Sequence, residues 1–403
     1  MATFVSTSRR VIWAAWFLGS LFYAYQYILR VMPNIMLEDI LQQFGISAVT
    51  FGQFSGVYYL GYSLMHLPIG LMLDRFGPRN VMSGAILLTV LGLLPLIWAE
   101  HWIYPVVGRL LIGMGSSAAI LGLFKMIRMS FSEKLFPRML SFSVTIGLLG
   151  AIYGGGPISY LRDVWGYQPV VEILALSGLA LAVVTFLVIP KSKGSSPGSV
   201  ISEIKEVFSN PRVLLVCFFA GLMVGPLEGF ADVWGTAFLK YDYQLDATVA
   251  ASLPSFIFLG MCFGSPVLTF IADKVGSYMG VIAGAGALMT ASFILMLTTS
   301  LGPTVLSVSF FLVGISCAYQ ILAIYKASTF VREEVTGLTT ALANMIIMTF
   351  GYFFHTVMGA VVHVMGGAFS PKALAYGVAV IPIALCLGTA GFVALLFFDK
   401  EPT

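Results

Sequence analysis

Charge is scarce in this chain. Asp, Glu, Lys and Arg make up only 10% of its 403 residues, against 59% that are hydrophobic, and a soluble globule with so few charged groups could not cover its own surface. Histidine and cysteine are scarce as well, four of each. Cys217, Cys262, Cys317 and Cys386 all lie inside apolar runs, without a CxxC pair or a Cys/His cluster. That pattern argues against a disulfide framework and a metal site and leaves the four as small hydrophobes. The sequence offers no Gly-rich phosphate-binding loop, so neither ATP nor any other cofactor is expected. A net charge of +3 gives no reason to expect nucleic acid as a partner.

What the chain has in abundance is apolar length. Runs long enough to cross a bilayer, at roughly 20 residues each, fall near 11–34, 50–72, 79–99, 102–127, 138–160 and 168–190. A second six follow near 211–238, 248–272, 277–299, 302–326, 336–364 and 373–398. Between the sets, "KSKGSSPGSVISEIKEVFSNPR" (191–212) is rich in Gly, Ser and Pro and then amphipathic, as a linker would be. The expected organisation is an all-α membrane protein with a six-helix bundle over 1–190, a linker over 191–210 and a second six-helix bundle over 211–403. Arg9 and Arg10 precede the first run as they would in a signal peptide. That run continues without a small-residue cleavage site, so it is expected to stay as the first span.

Lys and Arg set the orientation. Only Arg162, Lys240 and Lys372 fall in the loops on one side, and Arg30, Arg109, Lys125 and Lys326 fall within spans. The other fourteen of the 21, Lys134, Lys193 and Lys400 among them, fall on the side of the termini. Both termini are therefore expected in the cytoplasm of a multi-pass protein, with the bacterial inner membrane as the expected location.

The two halves echo each other. "LIGMGSSAAILGLFK" (111–125) aligns with "LVGISCAYQILAIYK" (312–326) at an offset of 201, with five identities that include Lys125 and Lys326. "DRFG" (74–77) aligns with "DKVG" (273–276) at an offset of 199. Two echoes at nearly one offset, each at the same place in its half, point to internal duplication.

The loop "GLMLDRFGPRN" (70–80) is similar to the signature loop of the major facilitator superfamily, Gly-x-Leu-x-Asp-Arg-x-Gly-Arg-Arg/Lys, through Gly70, Asp74, Arg75, Gly77 and Arg79. It departs in having Leu at 71 and 73 around the expected position and Pro78 at the first basic place. The resemblance implies twelve transmembrane helices in two pseudo-symmetric six-helix bundles, and a latch on the cytoplasmic side formed by these residues with Asp273 as the echo of Asp74. Lys125 and Lys326 either line that gate or extend toward the membrane surface. "GRLLIGMG" (108–115) resembles the Arg-x-x-x-Gly-x-Gly pattern of proton-coupled members through Arg109, Gly113 and Gly115. "GLLGAIYGGGP" (147–157) is similar to the Gly-rich fifth-helix motif of antiporters but in scrambled order, so close helix packing is the preferred account.

Ionisable groups at membrane depth mark substrate or ion paths. Tyr23, Tyr27, Arg30 and Asn34 form one stripe of the first span, and Ser55, Tyr59, Tyr62 and His66 repeat that spacing on the second. The offset of the repeat carries Arg30 to a place between Glu228 and Asp232, which are i, i+4 partners after Pro226, where a kink is expected. Two roles are open: an ion pair between Arg30 and one of these acids, or Arg30 holding a substrate carboxylate or phosphate while an acid takes a substrate amine or a proton. Tyr27 and Arg30 also match the Tyr/Arg spacing of organic-anion and organophosphate carriers. The acids of span 7 replace the second Arg of the latter and fit peptide and amino-acid carriers better.

The expectation is a secondary transporter, not an enzyme, that moves a small polar carboxylate-bearing metabolite by alternating access with proton coupling. The candidate substrate contacts are Arg30, Tyr27, Tyr23, Tyr59, Tyr62, Glu228, Asp232, Tyr319, Gln320, Asn344 and Tyr352. The candidate proton carriers are Glu228, Asp232 and His355, with Arg109 beside them by resemblance. A monomer in the lipid bilayer is expected, with a small molecule and a coupling ion as its partners. An exporter or siderophore carrier of the same fold is the alternative within transport; outside it stand a channel and a non-transporting nutrient sensor.

Overall fold

The structure is a computed structural model and describes residues 8–132, 135–191, 201–332 and 335–398. Lys134, Lys193, Lys400 and residues 192–200 of the expected linker lie outside the described residues. The side of the bilayer on which the first helix begins is called near, the other far.

Helix is the element a chain of this composition must choose, because only intra-segment hydrogen bonds satisfy a backbone in hydrocarbon. Span 1 is Arg9–Phe44, ten residues longer at its end than its apolar run. At 1.5 Å per residue its 36 residues reach about 54 Å, well past a hydrocarbon core of roughly 30 Å. Spans 2 and 3 form one continuous helical stretch, Ala48–Trp98, interrupted at Gly77 (φ 77°, ψ 163°). That backbone conformation is open to glycine at little cost, so Gly77 makes the turn of the signature loop. Span 4 is Ile103–Ser130, span 5 Arg138–Trp165 with a break at Gly155, and span 6 Tyr167–Val188. After the short helix Ile201–Phe208 come span 7 (Pro211–Tyr241), span 8 (Ala247–Val275), span 9 (Tyr278–Thr298), span 10 (Pro303–Ser328), span 11 (Thr336–Val364) and span 12 (Pro371–Phe398). Among the described residues that makes twelve spans and the expected six plus six.

Span 7 is where the helix departs furthest from regularity. It is α-helical over Pro211–Leu222, π-helical over Gly225–Trp234 and α-helical again over Gly235–Tyr241. Pro226 has no N–H for the carbonyl four residues before it, so the α ladder fails there. The expected kink is in fact a widened turn of helix that carries Glu228 and Asp232.

The chain divides into two compact units. The first holds the described residues up to Met32 and those from Val57 to the central break. The second holds Pro33–Gly56, which is the end of span 1 and the start of span 2, together with the described residues beyond the break.

Within the units, glycines set how closely helices approach. In the first, an added Cβ on Gly147, Gly150 or Gly154 of span 5 would strike Tyr23, Ala24 or Val31 of span 1. The Gly-rich run thus serves as a packing face for the helix that bears Arg30. Gly61 of span 2 faces the Leu110 carbonyl of span 4, and Gly113 of span 4 faces that of Tyr58. In the second unit Gly260 faces the Phe311 carbonyl and Gly314 that of Ile257. These four positions repeat at the offsets of 199 and 201 seen in the sequence, so the duplication extends to the crossing of the helices.

Candidate functional site

The polar interior of the first unit gathers where span 1 runs up to Pro33, the residue at which the second unit begins. Proline lacks the N–H that would bond the carbonyl of Leu29 four residues back, and a buried carbonyl left bare costs about 1–3 kcal/mol. Arg109 of span 4, only 1% exposed, reaches across: its Nη1 donates to Leu29 O and its Nη2 donates to Arg30 O at 2.7 Å. Its guanidinium carbon also lies 4.8 Å from the centre of the Tyr58 ring. Arg109 is thereby tied to the backbone of span 1.

Arg30 itself is buried, with its guanidinium carbon 5.2 Å from the Tyr27 ring centre and 5.3 Å from that of Tyr59. Two π faces stabilise a cation that cannot shed its proton. Tyr23 meets Tyr27 edge to face at 5.2 Å, so the first three residues of the predicted stripe form an aromatic column ending in a cation, whereas Asn34, the fourth, bonds to span 7. Span 2 supplies the rest. Tyr58 donates to Gln26 Oε1 at 2.8 Å and stacks on Tyr62, which lies 5.3 Å from His66. The near ends carry the signature loop. Asp74 accepts from Lys125 Nζ at 2.6 Å, and Arg79 lies over the Phe186 ring at 4.2 Å. Arg75 lies over Phe76, and Gly70, in mid-helix, has open space around it.

In the second unit Glu228 and Asp232 are both fully buried on the π-helical turn, as is His355 of span 11. Tyr319 donates to the Ala220 carbonyl at 2.6 Å, which ties span 10 to span 7. Gln320 is buried next to it, just past the interruption at Ala318. Asn344 and Tyr352 are half-buried on span 11, and Gly56 leaves room for the Tyr352 ring. The near-side echo of the signature loop is not a copy. Asp273 accepts from Tyr278 Oη at 2.9 Å, and Lys326 lies over the Phe330 ring. The Asp74–Lys125 pair and these two contacts occupy equivalent places with different chemistry.

Three further contacts in the second unit were not visible in the sequence as contacts. Asn34 is buried against span 7, with Nδ2 donating to Ala231 O at 2.8 Å and Oδ1 accepting from Thr236 N at 3.0 Å. One turn further on, Glu38 accepts from Lys240 Nζ and, at 2.9 Å, from Tyr241 Oη. Phe51, at the start of span 2, meets Trp234 edge to face at 5.6 Å. Outside the membrane, Glu206 of the short helix pairs with Arg332, which holds its carboxyl below the ordinary Glu value by a direct hydrogen bond. No group of three His, Cys, Asp or Glu side chains among the described residues is placed to hold a metal ion.

Comparison with known proteins agrees with this architecture. The family profile described as Major Facilitator Superfamily matches residues 15–356. The chloramphenicol resistance protein CraA of Acinetobacter baumannii is 25% identical over 324 residues, which are 77% of this chain and 76% of that one. The inner membrane transport protein YajR of Escherichia coli K12 is 25% identical over 51% of this chain and 46% of its own. Among solved structures, the nucleoside transporter NupG superposes with a TM-score of 0.79 at 13% identity, covering 95% of this chain and all of that one. A bacterial homologue of the human lysosomal transporter Spinster, in an inward-facing and occupied conformation, gives 0.76 at 14% identity, covering 98% of this chain and all of that one.

Proposed function

The chain belongs to the Major Facilitator Superfamily, and we propose that it is a proton-coupled carrier of a small carboxylate-bearing solute, moved by alternating access. An amino acid, a short peptide and an organic anion all fit that description. The observation that supports it most is Arg30 cradled by the Tyr27 and Tyr59 rings. A guanidinium so held presents a planar fork that matches a carboxylate in a bidentate fashion. Tyr23 and Tyr62 extend the aromatic surface, and Tyr319, Gln320, Asn344 and Tyr352 contribute polar lining from the second half. Glu228 and Asp232 take the coupling proton or the amine of a zwitterion, with His355 as a further carrier.

On this proposal the halves 1–190 and 211–403 are the moving bundles and the carrier is a monomer. Both termini face the cytoplasm from a bacterial inner membrane. Gly70, Asp74, Arg75, Gly77, Arg79 and Lys125, with Asp273 and Lys326, form the near-side gate. The test is a thermal-shift screen of the purified protein against amino acids, dipeptides, organic acids and phosphate esters. A saturable shift from carboxylates is expected, and it should vanish in Arg30→Ala.

A second reading draws on the relative named for chloramphenicol resistance: export of an uncharged aromatic compound against the tyrosine column. Chloramphenicol in the same screen decides between them. A shift with chloramphenicol and none with carboxylates, unchanged by Arg30→Ala, selects export. Flux through proteoliposomes that never saturates would overturn both in favour of a channel.

A further inference from the structure

Asn34 has no part in the proposed binding of solute, yet its side chain occupies an unusual place. In a π-helix each N–H bonds the carbonyl five residues back, and Thr236 and Ala231 stand at that spacing across the point where the π-helix Gly225–Trp234 gives way to α-helix. Here the Thr236 N–H is directed at Asn34 Oδ1, at 3.0 Å, and the Ala231 carbonyl receives Asn34 Nδ2, at 2.8 Å. The primary amide, one donor and one acceptor on a planar group, has been inserted into the rung between them. Asn34 is buried, and the adjoining turn carries Asp232 and, one turn earlier, Glu228.

An inserted amide differs from an ordinary clasp in what it leaves behind. When most clasps open in a dry interior, they orphan a donor and an acceptor, each at a cost. If Asn34 withdraws, the Thr236 N–H and the Ala231 O are left facing each other, and the rung can close. Backbone satisfaction is kept in both arrangements, which makes the element two-state rather than merely weak. Glu38, one turn beyond Asn34, binds Lys240 and Tyr241, so the two contacts form one clasp at the far end of spans 1 and 7.

We propose that Asn34 is a positioning residue of the transport cycle: its amide stands in for the Ala231–Thr236 rung, and release of the far-side clasp closes that rung and moves the turn bearing Asp232. The functional weight of that movement rests on the reading of Glu228 and Asp232 given above. The exchange of bonds does not.

The test uses the full chain in lipid nanodiscs and needs no solute. Amide hydrogen exchange is read at Thr236, and labelling by a membrane-impermeant maleimide from the far side is read at Ala237→Cys, a buried site beside the rung. In Asn34→Ala, labelling at 237 rises about tenfold, as expected for two lost buried hydrogen bonds. Protection of the Thr236 amide stays within about threefold of the parent because the rung has closed. Asn34→Asp, which puts a carboxylate against the Ala231 carbonyl, raises labelling further than Asn34→Ala. A packing role predicts the reverse order, since Asp keeps the shape of Asn and Ala leaves a void. Labelling unchanged in both variants, the reverse order, or a tenfold loss of Thr236 protection in Asn34→Ala would each overturn the proposal. Whether Glu228→Gln and Asp232→Asn lose coupling is scored separately, so a failure of the carboxylate reading leaves the rung result distinguishable.

Discussion

Arg109 supplies to the Leu29 carbonyl the hydrogen bond that Pro33 withholds. The proline breaks the backbone ladder of span 1 just beyond Arg30, and a guanidinium from span 4 repairs it, taking the Arg30 carbonyl as well. The position of the Arg30 side chain is fixed by this repair, because it hangs from a turn of helix that would otherwise be free to unwind.

The pair should therefore be energetically coupled. Arg109→Gln removes a buried, doubly bonded cation and should cost about 2–4 kcal/mol. Restoring the N–H through Pro33→Ala should recover about 1 kcal/mol of that loss, read as the interaction energy of a double-mutant cycle on thermal unfolding in detergent. Strict additivity of the two substitutions would contradict the repair.

Arg30→Lys separates charge from geometry. The ammonium keeps the positive charge over Tyr27 and Tyr59 but loses the planar fork. The solute identified by the thermal-shift screen should bind about tenfold more weakly, the equivalent of about 1.4 kcal/mol, with the ligand-free melting temperature little changed. Equal affinity in Arg30→Lys would show that only the charge matters.

The packing of span 5 on span 1 gives a third expectation. A Cβ at Gly150 would drive into the backbone of Ala24, which cannot yield as a flexible side chain can. Gly150→Ala should destabilise by about 1–3 kcal/mol and disturb Tyr23, whereas Gly84→Ala, with nothing near its added carbon, should be neutral or stabilising. Thermal unfolding of the two variants side by side checks this.

Acid should loosen the short helix Ile201–Phe208. Arg332 holds the folded-state value of Glu206 below the ordinary one. A carboxyl lowered in this way contributes stability that is fully present above its unfolded value, about 4.3 for Glu, and that is lost as the pH falls through the folded value. Amide exchange over 201–208 should therefore rise below about pH 4 and should be flat with pH in Arg332→Ala. Because Arg332 is exposed and Glu206 only half-buried, global unfolding should barely respond.

The number of spans and their pairing into halves were legible because hydrocarbon removes alternatives. A run of some 20 apolar residues has no stable state there but helix, and the duplicated "LIGMG…LFK" and "DRFG" segments fix the register of one half on the other. The ends of the spans were less legible. Span 1 continues past Asn34 to Phe44 through Glu38 and Asp39, polar residues that hydropathy counts as loop. Asn34 and Glu38 are carried by contacts with span 7 that lie about 200 positions away.

The candidate site divides along the same line. That Arg30, Arg109, Glu228 and Asp232 lie within spans follows from their places in apolar runs. That Arg109 reaches the carbonyls of Leu29 and Arg30 does not. Arg109 is assigned by Pro33, 76 positions earlier in the chain, once spans 1 and 4 pack together. Pro226 likewise announced a disturbance in span 7. The widened turn that results is completed by an amide from another helix.

By itself, then, the sequence determined the solvent, the twelve crossings, the duplication and the placement of charges within spans, since each follows from local composition and the free energy of transfer into lipid. The tertiary structure decided which polar group answers which. A buried donor or acceptor must find a partner within hydrogen-bond distance. The helix that brings Arg109 to Leu29, or Asn34 to the Ala231–Thr236 rung, arrives only when packing sets the crossings.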